Sequence, residues 1–153
     1  ETMPETDQKL AVSTKAVIEG CELWKRATDD LLSQYGKHSD EMRENDLRLH
    51  KLNFFAGPAT IVLAAEVTKK EKGDTAPIHI SVQEATMMAN FFYQGMQMLP
   101  AGGDARLDLI RYHAYFRDKV TSAKLTDAAA AIPRKFLWLL ALVGLAVALY
   151  SMA

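Results

Sequence analysis

Four histidines, one cysteine and a single Asp-x-x-x-His pair have the widest chemical repertoire in this chain: metal ligation, proton transfer and thiol chemistry. The imidazoles are His38, His50, His79 and His113. None completes a His-Glu-x-x-His zinc motif, and no Glu-x-x-His pair of the di-metal helical bundles occurs. Asp46 and His50 stand four apart and can share a helix face, which reads as a solvated surface pair. Cys21 is the one cysteine, so no internal disulfide forms and no Cys-x-x-Cys site for zinc or haem attachment exists in these 153 residues. Its plain reading is a small buried apolar side chain. No Gly-rich phosphate loop follows a strand; "AGP" at 56–58 and "AGGD" at 101–104 read as helix ends. We therefore expect no catalytic residue, no metal ligand and no cofactor, and a protein that is not an enzyme.

The composition narrows the partners. There are 18 basic and 19 acidic residues, for a net charge of -1. A nucleic-acid binder shows a basic excess or stripe, and neither is present. A chain of this length amounts to one domain and can bury a core without staples. The first residue is Glu1 and not Met, as removal of a leader or trimming of the chain would leave, and "ETMPETDQKL" has no apolar run of its own.

The elements that must position everything else read as helices with strong punctuation. From Pro4 to Gly36 the apolar positions Leu10, Val17, Cys21, Trp24, Leu31 and Tyr35 fall three, four or seven apart, one face of a long amphipathic helix. Glu22, Lys25 and Arg26 decorate its outer face, and Gly36 supplies a left-handed stop. The next helix takes Ser39 as its N-cap, with Asp40 and Glu41 in the first turn and Glu44 paired with Arg48. It breaks at Gly57-Pro58. Leu52 to Ala65 is almost wholly apolar, with Lys51 before it and Lys69, Lys70 and Lys72 after. Its length, short for a span, suits a buried core helix. A membrane-surface or re-entrant element is the second reading, with the lysines meeting anionic headgroups, and a second span is the third.

Ser81-Val82-Gln83-Glu84 spells a capping box. It opens a helix that ends at Pro100. Val82, Ala85, Ala89, Phe92, Met96 and Leu99 form its core stripe. Met87, Met88, Phe91 and Met98 are left facing elsewhere and read as a candidate partner surface. Asp104 is placed to cap a helix carrying Leu109, Ile110, Phe116 and Val120, and the short "PAGGD" link makes these two helices antiparallel neighbours. Thr126 is placed to cap the alanine-rich lead-in that follows. "APIHISV" is the one strand-like stretch and is too short to anchor a sheet. The fold class expected is all-α: an antiparallel bundle of four to five helices over residues 1–131, and a single transmembrane helix over 132–153.

The last segment is unlike the rest. Phe136 to Met152 carries no charge and spans about 25 Å as a helix, near the short end for a bilayer. Pro133, Arg134 and Lys135 precede it; the two cations can snorkel to headgroups. Trp138 and Tyr150 stand near its two ends as interface anchors. Ala141, Gly144 and Ala148 share a face, a seam on which another membrane helix can pack closely. Basic residues keep to the side from which insertion starts, so the N-terminal part stays with Arg134 and Lys135.

Taken together these features predict a non-catalytic accessory subunit of a large membrane complex. The expected setting is the mitochondrial inner membrane, in a respiratory or ATP synthase assembly, with the N-terminal domain on the matrix side. Its partners are then the bilayer and other subunits, through their transmembrane helices and soluble faces. A tail-anchored adaptor that recruits soluble proteins is the second reading. A lipid-, quinone- or haem-binding membrane enzyme subunit is the third.

Overall fold

The computed structural model describes residues 8–35, 40–131 and 133–152. They form β1 (Lys9–Ser13), α1 (Thr14–Tyr35), α2 (Glu41–Ala56), α3 (Pro58–Lys72), β2 (Pro77–Ser81), α4 (Val82–Met98), α5 (Asp104–Ala131) and α6 (Arg134–Met152). The chain is mostly helical, as expected, but it is not purely so. It divides into two compact units, Glu1–Val120 and Thr121–Ala153. The boundary expected at 131/132 lies within the second.

The two strands correct the sequence reading twice. Residues 9–13 are strand and not the start of a helix, and "PIHIS" does pair. The ladder is antiparallel, running from Lys9 opposite Ser81 to Ser13 opposite Pro77. Successive strand side chains point to opposite faces, so Leu10, Val12, Ile78 and Ile80 turn inward and are buried. Leu10 faces Ile80 and Val12 faces Ile78, a cross-strand apolar pairing of the kind that stabilises sheets. Two strands alone are marginal in water. These are held because α1, α3 and α4 pack on them. The Ser13 N–H donates to the Tyr115 hydroxyl at 2.8 Å, and the Ser13 Oγ accepts from Ala16 N–H at 3.2 Å. One residue thus ends β1 and caps α1.

At the start of α2 the cap is Asp40, whose side chain accepts from the Arg43 N–H at 3.3 Å. Asp40 was expected one step later, in the first turn behind Ser39. Ser39 lies outside the described residues, as do Pro4, Gly36 and His38. The Glu44–Arg48 pair forms, at 2.6 Å. The break between α2 and α3 falls where expected, with Pro58 as the first residue of α3, where its missing N–H costs nothing. At Gly57 an added Cβ would meet the end of the flexible Met87 side chain, which would have to shift. Gly73 and Gly102 have φ of 94° and 82°, the left-handed backbone that glycine adopts without strain.

The capping box of α4 is complete. Glu84 N–H donates to Ser81 Oγ at 3.1 Å, and Ser81 N–H donates to Glu84 Oε2 at 2.8 Å. Helices α4 and α5 meet as antiparallel neighbours through side chains. Arg106 donates to the Leu99 carbonyl near the link, Phe92 meets Tyr112 and Phe116, and His113 Nδ1 donates to the Ala89 carbonyl at 2.9 Å. Asp104 is the first residue of α5, where its charge suits the helix dipole. Thr126 is no cap: it sits inside α5 and donates to the Ser122 carbonyl. The core is aromatic. Trp24 stacks on Phe54 with ring centres 5.3 Å apart and meets Phe91 at 4.6 Å, and Phe91 abuts Phe92.

Candidate membrane anchor and exposed apolar faces

Helix α6 is built of leucine, alanine and valine and starts directly after Pro133, whose carbonyl accepts from Phe136 N–H at 2.8 Å. Its 19 residues span about 28 Å, close to the hydrocarbon thickness of a bilayer. Arg134 and Lys135 are its only charges and both lie in the first turn. By length and composition it can cross a membrane. None of its residues is buried, so its leucines, valines and aromatics carry a large apolar surface that water would penalise and lipid would not. Trp138 stands one turn beyond Arg134, and Tyr150 stands in the last turn. Ala141, Gly144 and Ala148 fall within about 60° of arc at 3.6 residues per turn, and nothing approaches the open side of Gly144 within 4 Å.

Two of the four residues expected to face a partner on α4 lie in the body's own core. Met88 and Phe91 are core residues. Met87 is half-buried over Gly57, and Met98 is half-buried in a groove with Leu31, Tyr35, Arg43 and Asp46. The reason is position: α1, α2 and α3 all touch α4, as do both strands. A helix so enclosed buries more than one face, and its surplus apolar residues need no second chain.

An uncovered apolar face lies instead on α2 and α3. Each lays one stripe on the core: Leu47, His50 and Phe54 from α2, and Pro58, Ile61 and Ala65 from α3. The opposite sides present Leu49, Leu52, Phe55, Leu63 and Val67 to solvent. Phe55 is 72% exposed and Leu63 61%. The expectation of one buried core helix from Leu52 to Ala65 is therefore wrong for half of its residues. Gly57-Pro58 splits the stretch into two helix ends, and each end can turn only one side inward.

His50 and Cys21 are turned away from these faces into the core. His50 is 2% exposed and packs edge-on to Trp24, with ring centres 5.3 Å apart, and stacks on Phe91. It makes no pair with Asp46, which lies on the exposed side of α2. Burial pushes the His50 pKa down from 6.5; the Gln94 side chain opposes this by favouring the charged form. Neither His50 ring nitrogen, nor Trp24 Nε1, meets hydrogen-bond geometry with a protein group. Sequence reading missed this because 47, 50 and 54 form the apolar stripe of α2 only if the histidine is counted as apolar. Burial likewise pushes the Cys21 thiol up to about 12, against the pull of Lys25, and it is a free, buried cysteine, as read. Tyr112 is raised by burial, with Glu19 and Asp108 adding to the effect. Among the described residues no three His, Cys, Asp or Glu side chains gather where they could hold a metal ion. No protein-family model, no curated protein and no solved structure matches this chain.

Proposed function

We propose that this protein is a non-catalytic accessory subunit of a larger membrane complex, held in the bilayer by α6. The observation that carries the reading is α6 itself: a span-length helix, apolar around its whole circumference and buried nowhere. Lipid satisfies most of that circumference, and the Ala141–Gly144–Ala148 seam offers one side to a neighbouring transmembrane helix. Sidedness is supported by Arg134 and Lys135, which favour the compartment from which insertion starts. In a mitochondrial inner membrane, such as that of a respiratory or ATP synthase assembly, this puts residues 1–131 on the matrix side, and protease protection in mitoplasts checks it. The deciding experiment is extraction of the native protein in mild detergent followed by native electrophoresis. Migration in an assembly several-fold heavier than 17.0 kDa is the expected result. Free migration overturns the reading in favour of a tail-anchored adaptor.

A further inference from the structure

The uncovered face of α2 and α3 differs from the outward side of α4, which is also uncharged from Ala85 onward but presents Asn90, Tyr93, Gln94 and Gln97. From Leu52 to Ala65 there is no charged residue, so every outward position in this stretch is apolar, small or amide. Leu52, Phe55 and Leu63 are its large exposed members. Both helices press their inner sides on α1 and α4, so their outer sides face away from one shared core. Lys51 borders the stretch on one side and Lys69, Lys70 and Lys72 on the other. This is the make-up of an interfacial element: apolar anchors in the middle, and long amphipathic side chains at the rim that keep their charge in water.

We propose that this face rests on the bilayer that α6 crosses, with Leu52, Phe55 and Leu63 entering the boundary between headgroups and acyl chains. The inference rests on the reading of α6 as a span. Lipid is the occupant argued for because the chain brings it within reach. Thirteen residues separate Val120 from Arg134, about 20 Å at helical rise. Eleven of these thirteen residues are the end of α5, and because the body and the span are one chain, contact of the body with the bilayer is an intramolecular event. Attraction to anionic headgroups is not the driving force. Lys69 is paired with Asp74 at 3.5 Å, Lys51 is paired with Asp29, and Glu66 and Glu71 balance Lys70 and Lys72. Insertion of the apolar side chains is what remains.

The test uses the full chain reconstituted in phosphatidylcholine vesicles. An environment-sensitive fluorophore is placed on Leu63→Cys, or on Asn90→Cys as a solvent-exposed control on α4; the buried native Cys21 stays unlabelled. Resistance to alkaline carbonate shows first that α6 is inserted, so a failed anchor is told apart from a failed contact. The expected result is quenching of the Leu63→Cys label by spin-labelled lipid several-fold above the control, and a blue-shifted emission. Phe55→Asp, at a side chain outside the core, lowers that quenching while the circular dichroism and the carbonate resistance stay the same. Anionic lipid changes it little. Equal accessibility of the two labels to aqueous iodide overturns the proposal. So does protection that appears only with anionic lipid, or only in native membranes; the last result assigns the face to a protein partner.

Discussion

Trp24 and Trp138 are the same side chain in opposite circumstances. Trp24 is 1% exposed and stands at the centre of an aromatic core; Trp138 is 73% exposed on α6. The core around Trp24 is closed by its own chain, with Phe54, Phe91 and Phe92 from two other helices. Trp138 lies on a helix that has no buried residue. Hydrophobicity alone does not distinguish the two regions. Periodicity does: α1 has one apolar face and a charged one, whereas α6 is apolar all round, which only a non-aqueous surrounding satisfies.

The comparison breaks most sharply under truncation. Trp24→Ala is expected to cost the body about 3–5 kcal/mol, enough to lower its urea midpoint steeply or unfold it. Trp138→Ala should leave that midpoint where it was. The glycines give the next largest contrast. A methyl group on Gly95 would lie 2.8 Å from Trp24 Cδ1, and such overpacking costs about 1–3 kcal/mol. Gly144→Ala meets nothing within 4 Å and should leave the melting temperature of the detergent-solubilised monomer unchanged.

Acid then sharpens the picture of the core. His50 is held below its ordinary 6.5 chiefly by burial, so between the two values the unfolded chain binds more protons than the folded one. Stability from a neutral His50 is therefore complete above about pH 6.5 and is lost as the pH falls from there toward its lowered folded value. Denaturant midpoints measured across this range should fall on acidification, and His50→Gln should flatten that slope. The smallest expected effect is at the α4 N-terminus. Ser81→Ala removes half of the capping box and should cost about 1 kcal/mol in thermal or urea unfolding, well below the loss at Trp24.

Local signals were the legible ones. The Ser81–Glu84 box, the Gly57-Pro58 break, the short link before α5 and the uncharged run of α6 all depend on residues close in sequence, and each stands where it was read. What depended on distant contacts was not legible. Lys9–Ser13 has three apolar residues in a row, Leu10 to Val12, with no apolar–polar alternation to mark a strand, and Leu10 lies two helical turns before Val17 on the α1 stripe; only the meeting with Pro77–Ser81, more than sixty residues on, makes them a strand. Met88 and Phe91 read as surplus until α4 is seen enclosed by α1, α2 and α3. His50 read as a polar partner of Asp46, when the apolar spacing of Leu47 and Phe54 already placed it on the buried stripe. Sidedness, partners and compartment are properties of surfaces that no periodicity records.

The central claim, that lipid surrounds α6, is tested most directly by washing native membranes with alkaline carbonate and sedimenting them at high speed. The full chain should remain in the pellet, and a variant carrying Leu140→Lys and Val143→Lys should move to the soluble fraction. Recovery of the unaltered protein in the supernatant would contradict the account.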